Sequence, residues 1–415
     1  MDLALLRRIS PISIILGFAL TLRLWRLNLP KGYIFDEVYY AKNANSLISS
    51  GVELNQQGSA EFVVHPPLGK WLIGIGIKLF NNNEFGWRIS SAIFGTASVL
   101  LIYLIAKRLF NSEFLGLVAA LLMSFDGLNL VMSRVALLDI FLMFFTLLSF
   151  YFLVKENLWL SGISIGLAIS IKWSGAYLVP LLLLLSLNFS EPNIKQSIKR
   201  VSQFIFLPTI VYLLSWSGWI FTSNGWSRNS GSNVFSSLWK YHQEILIFHR
   251  NLAQQHAYSA NPWSWLVLGR PTSFYYQAPP NCGATKCAQE ILAIGTPFLW
   301  WSAIFAVAIT VGFYIKTSSR SAEIILAGIA GTYLPWFIIQ DRTMFYFYAI
   351  SILPFLILAI TYCFDLLLKY GNYKWGVNIF VAIVAINFLY FLPILLGIEI
   401  PYSQWLHRMW LPSWI

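Results

Sequence analysis

Apolar residues in this chain fall into long runs, and polar residues gather in the stretches between them. A membrane-spanning helix needs about 20 mainly apolar residues. Eleven segments fit: 9–27, 85–107, 114–132, 135–154, 157–172, 174–189, 201–220, 291–315, 322–340, 343–367 and 376–397. Lys172, Trp173, Ser174 and Gly175 interrupt the run 157–189, which is read as two short spans. A shorter apolar run, Leu68 to Phe80, is opened by Pro66-Pro67 and closed by Asn81-Asn82-Asn83. It is too short to span and reads as an interfacial helix. Tyr241 to Tyr258 reads as a polar helix carrying His242, His249 and His256 at seven-residue spacing. No internal repeat or soluble domain is evident, so residues 1–415 read as a single transmembrane domain.

Composition agrees. The 415 residues are 57% hydrophobic and 11% charged, whereas soluble domains carry about 25% charged residues. This implies an all-α polytopic membrane protein. The first apolar run lacks a small-residue cleavage site and reads as an anchor. Lys and Arg in short loops set the orientation. With Arg7 and Arg8 in the cytosol, Lys107, Arg108, Lys155, Lys195, Lys199, Arg200, Lys316, Arg320, Lys369 and Lys374 all fall inside. Two long loops, 28–84 and 221–290, and the tail from Glu399 then lie outside a plasma (inner) membrane. The net charge of +11 is accounted for by those cytosolic loops and by an anion site, so nucleic acid is not implied. Cys282 and Cys287 lie close together in an outer loop, which permits one disulfide.

Several charges disobey the inside rule. Arg23, Arg26, Arg88, Arg134, Lys172 and Arg342 fall near the outer ends of spans, as do Asp36, Glu37, Asp126, Asp139 and Asp341. Individually these are explained by snorkelling or by pairs such as Arg134 with Asp139. Gathered on one face, they suit a lipid phosphate head group. Asp36, in the stretch Phe35-Asp36-Glu37-Val38-Tyr39-Tyr40, is then a candidate catalytic base, with Glu37 beside it. Pro66-Pro67 holds His65 rigidly at the start of the interfacial helix. The seven-residue histidine spacing is two helical turns, too far for ligands of one ion. No metal site is therefore expected and no cofactor is assigned; dependence on a divalent cation is left undecided.

These residues resemble the protein O-mannosyltransferases. The resemblance is carried, in order, by FDEVYY at 35–40, VHPPLGKWL at 64–72, WRISSAIFG at 87–95, SRVALLDIFLMFFT at 133–146 and GLAISIKWSGAYLVP at 166–180. It continues with HAYSANPWSW and GRPTSFYY within 256–276, CGATKCAQEILAIGTPFLWW at 282–301 and DRTMFYFYAISILPF at 341–355. The resemblance implies a GT-C fold and inverting transfer of mannose. The donor would be a polyprenyl (dolichyl-type) phosphate mannose, and the acceptor a Ser or Thr hydroxyl of a protein. It makes Asp36 the base and Glu37 a residue that orients the acceptor or Asp36. It places Arg23 and Arg88 near the site; His256 lies in a motif loop. Lys172, Arg342, Arg88 and Arg134 are the candidates for the donor phosphate, with His65 and Asp139 as further site candidates. Two departures stand out. The loop 221–290 has no room for the β-trefoil MIR domain of eukaryotic members, which points to a compact prokaryotic type, and Tyr39 stands where they tend to have His. Two alternatives remain: a GT-C enzyme moving another sugar, such as aminoarabinose or a pentose, to lipid A or a cell-wall glycan, and a transporter. Oligomeric state is not legible.

Overall fold

Each of the eleven apolar runs carries helix, but few form one unbroken rod. The computed structural model describes residues 10–55, 57–187 and 193–415; Arg7, Arg8 and the ends of the runs at 9 and 188–189 lie outside these. In chain order the helices are α1 Pro11–Leu24, α2 Glu37–Ser50, α3 Leu68–Phe80, α4 Glu84–Leu109, α5 Glu113–Ser124, α6 Gly127–Met132, α7 Asp139–Val154, α8 Leu158–Ile169 and α9 Val179–Ser186. They continue as α10 Ile194–Val201, α11 Leu207–Ser215, α12 Ser217–Phe221, α13 Val234–Asn251, α14 Pro297–Thr317, α15 Arg320–Tyr333, α16 Leu353–Tyr370, α17 Lys374–Leu396 and α18 Tyr402–Leu406. Among the described residues, five helical stretches are long and apolar enough to cross a membrane: α4, the continuous stretch Ile194–Ser215, α14, α16 and α17.

The breaks have local causes. Asp126 ends the run 114–132 as one rod, because its carboxylate caps α6 by accepting from Asn129 N. The same carboxylate takes Thr296 N and the Trp300 indole, which pins the entry to α14. Residues 135–138 form an irregular turn, so α7 begins at Asp139 rather than at 135. Trp173–Leu178 and Tyr346–Ser351 are 3-10 turns ahead of α9 and α16. An apolar run records burial or lipid contact, and either is met without continuous helix.

The fold is not all-α. Strands β1 Thr272–Gln277, β2 Cys287–Ala293 and β3 Ile400–Pro401 form a small antiparallel sheet in the order β1-β2-β3. The run expected to span from 291 therefore starts as strand, and its helix begins at Pro297. The Cys282–Cys287 disulfide is formed, with 5.9 Å between the Cα atoms, at the entry to β2.

The two long loops pack on one another. α3 forms over the expected residues and lies against α2 and α4. The contact with α2 is close enough that a Cβ on Gly74 would collide with the Ile48 side chain. Val52, Val63, Trp216, Trp219, Leu238, Tyr241 and Ile245 form a small core of their own that joins the first loop to α12 and α13. α13 spans Val234–Asn251, so the expected helix at 241–258 starts earlier, ends earlier and leaves His256 outside it.

Candidate active site

Asp36 and Glu37 are adjacent and have opposite surroundings. The chain turns at Phe35, and Glu37 opens α2. Glu37 is fully buried. Its Oε1 accepts from Arg88 Nε at 2.8 Å and Ala136 N at 3.0 Å, and its Oε2 accepts from Arg88 Nη2 at 2.8 Å and Ile34 N at 3.0 Å. A carboxylate has about four lone-pair sites, so all are occupied. Asp36 sits at the N-cap of α2 but does not cap it, although Asp ordinarily does. Among the described residues its carboxylate makes no hydrogen bond. Burial pushes the Asp36 carboxyl up to about 6, with Lys172 pulling it down and Asp139 adding to the rise. At neutral pH this is an ionised, unpartnered carboxylate of raised basicity, which suits a general base.

Cations converge nearby. Lys172 ends the turn after α8 and donates to Asp139 Oδ2 at 2.8 Å, with its ammonium 4.9 Å from the Tyr348 ring centre. Lys172, Arg342, Arg250, His65, His249 and one acid, Asp341, line one cavity of about 350 Å³ together with Trp173, Tyr177, Trp336, Ile338, Ile339 and Tyr348, so its basic side chains outnumber its single carboxylate. His249 Nε2 lies 3.0 Å from the Val64 carbonyl, and its Nδ1 lies 3.5 Å from Arg342 Nη1. Burial, and then Arg342, lower the His249 imidazole to about 4. It is therefore neutral at pH 7, with Nε2–H donating and Nδ1 left to accept. Burial, then Lys172 and His249, hold His65 well below its ordinary value. The positive charge thus comes from Lys172, Arg342 and Arg250. Arg342 Nε is buried without a partner among the described residues. Among the apolar side chains that line this cavity, Ile338 is 85% exposed and Leu246 42% exposed. A cationic pocket opening on exposed apolar side chains suits an anion carried on an apolar tail.

The other expected phosphate ligands are not brought to this cavity. Arg88 gives Nη1 to the carbonyls of Leu27 and Pro30 and Nη2 to that of Gly32, besides its two bonds to Glu37. A guanidinium has five N–H donors, and all are used. Arg134 Nη1 lies 2.7–2.9 Å from the carbonyls of Leu22, Arg23 and Trp25, closing the C-terminal end of α1. The pair Arg134–Asp139 does not form; Asp139 takes Lys172 instead. Arg23 is buried and bonded to Ala19 O and the Asn129 side chain. His256 is exposed and lies 6.4 Å from the Phe35 ring. His249 and Arg250 were visible only as members of a polar helix, and Tyr348 as one aromatic among many. Tyr348, beside Lys172, lies on the 3-10 turn Tyr346–Ser351 where helix was expected to begin.

The family model for dolichyl-phosphate-mannose-protein mannosyltransferase matches residues 13–224, and that for the C-terminal four-transmembrane region of protein O-mannosyltransferase matches 234–414. The chain belongs to the protein O-mannosyltransferase family. The polyprenol-phosphate-mannose–protein mannosyltransferase of Mycolicibacterium smegmatis is 32% identical, over 92% of this chain and 87% of that protein. Its namesake in Mycobacterium tuberculosis is 30% identical over 92% and 86%. Among solved structures, the Saccharomyces cerevisiae protein O-mannosyltransferase Pmt1–Pmt2 complex bound to the sugar donor superposes with a TM-score of 0.82. That match has 16% identity and covers 98% of this chain and 92% of that one. ArnT from Cupriavidus metallidurans bound to undecaprenyl phosphate gives 0.57, with 16% identity over 96% and 72%. These likenesses establish a mostly helical, multi-pass membrane protein with a fold shared by GT-C enzymes.

Proposed function

We propose that this protein O-mannosyltransferase moves mannose from a polyprenyl phosphate mannose to Ser or Thr hydroxyls of proteins, with inversion, and that Asp36 is its base. The observation that carries the reading is the unpartnered, partly buried Asp36 carboxylate in the field of Lys172, which also lines the cationic cavity. The acceptor oxygen attacks the anomeric carbon while Asp36 takes its proton. The bond from that carbon to the phosphate oxygen breaks, and polyprenyl phosphate departs with the electron pair. Lys172, Arg342 and Arg250 neutralise the phosphate, so the leaving group needs no proton. The polyprenyl chain lies along the exposed apolar residues among membrane lipids. Glu37 and Arg88 act by holding the turn that carries Asp36. The reading includes eleven membrane crossings, with loops 28–84 and 221–290 outside the plasma membrane. The donor and a protein acceptor agree with the names of the mycobacterial relatives. Purified protein should move label from radiolabelled polyprenyl phosphate mannose to a Ser/Thr peptide. Label appearing only in a lipid or glycan would contradict the protein acceptor.

A further inference from the structure

Phe35, the residue before the proposed base, has φ +48°. A bulky residue rarely occupies this left-handed region, and such a conformation persists only where the surroundings impose it. The surroundings are aromatic. The Phe35 ring centre lies 4.7 Å from Phe274, 5.5 Å from Phe347, 5.8 Å from Phe345 and 6.4 Å from His256. Phe274 is itself irregular. The register of β1 on β2 shifts between Ser273 and Tyr275, so Phe274 is the extra residue of a bulge. Bulges re-aim side chains, often beside active sites. Phe347 precedes Tyr348, the ring beneath Lys172, on the same 3-10 turn. Two independent backbone departures, the left-handed turn and the bulge, thus meet ring to ring one residue from Asp36.

We infer that Phe35 and Phe274 are positioning residues: their contact clamps the turn so that Asp36 faces the Lys172 side of the site instead of capping α2. The inference rests on Asp36 being the base. Without the clamp the turn relaxes, and Asp36 becomes an ordinary N-cap that accepts from the first N–H groups of α2. The groups whose charge bears on Asp36 are Lys172, Asp139, Tyr40 and Tyr348, and none of them is itself substituted in the Phe35 and Phe274 variants.

The test uses full-length protein in detergent with radiolabelled polyprenyl phosphate mannose and a Ser/Thr peptide. Phe35→Asn tolerates the left-handed backbone and lacks the ring; Phe274→Ala removes the opposite wall. Both should lower kcat by about 10- to 100-fold, since a misplacement near 1 Å has that effect, while KM for the donor stays within about threefold. The acid limb of kcat against pH should move to lower pH, because backbone N–H groups stabilise the carboxylate. Phe35→Tyr should restore turnover. Should Phe35→Asn fail to fold, Phe274→Leu carries the same test. If Asp36→Asn is inactive while Phe35→Asn and Phe274→Ala keep a kcat within about threefold of the parent and an unmoved acid limb, the positioning role is wrong and the base assignment survives. If Asp36→Asn itself turns over normally, the base assignment fails and the inference falls with it.

Discussion

Arg88 directs Nε at Oε1 of Glu37 and Nη2 at Oε2, each at 2.8 Å, and both side chains are removed from solvent. The remaining Arg88 donors go to the carbonyls of Leu27, Pro30 and Gly32, so this pair ties the whole entry to α2 down onto α4. Two neighbouring acids thereby divide their work, with Glu37 fixing the turn and Asp36 left unpartnered.

Glu37→Gln should therefore act on folding. Removing one partner of a buried ion pair leaves an uncompensated charge and costs about 3–5 kcal/mol. Melting of the purified variant should show a large loss of Tm, and a double change of Glu37→Gln with Arg88→Met should recover part of it. A Glu37→Gln protein as stable as the parent would show that the pair does not hold the turn.

Arg342 and Lys172 are expected to differ in kinetics. If Arg342 meets the phosphate as proposed, Arg342→Ala removes a contact of about 1.5–3 kcal/mol, so KM for the donor should rise by roughly 10- to 150-fold. Lys172 does more, because its charge also pulls the Asp36 carboxyl down. Lys172→Met should weaken the donor and move the acid limb of kcat upward from about 6. Unchanged donor KM in both variants would place the head group elsewhere.

Topology is checked by cysteine accessibility. Cysteines introduced at Asn55 and Asn229, both exposed, should react with an impermeant reagent added outside intact cells. Protection until the cells are permeabilised would invert the orientation and with it the placement of the acceptor.

Much of this was legible in the chain. The eleven apolar runs, the bounds of α3 and the Cys282–Cys287 link followed from hydropathy, prolines and spacing, and the ordered motifs identified the family. Two of the four expected phosphate residues, Lys172 and Arg342, line the cavity. Arg88 and Arg134 do not, because composition reveals a charge but not its partner. Backbone carbonyls are the partners of Arg134 and most of those of Arg88, and every residue has one. The sheet was hidden because β2, Cys287–Ala293, merges with the apolar run that follows. The left-handed backbone at Phe35 carries no sequence signal, since neither glycine nor asparagine marks it.

Asp36→Asn measures the central claim most directly. The substitution keeps the shape and removes the base, along with a charge that burial disfavours. Turnover of the purified variant should fall by about two to four orders of magnitude, with donor binding retained and Tm at pH 7 equal to the parent's or higher. In the parent, the carboxyl held at about 6 must be ionised to act, so kcat should fall as pH drops through about 6 and level off above it. A folded Asp36→Asn protein with near-parental turnover would contradict the account. So would a severely destabilised one, since it would give Asp36 the structural role assigned here to Glu37.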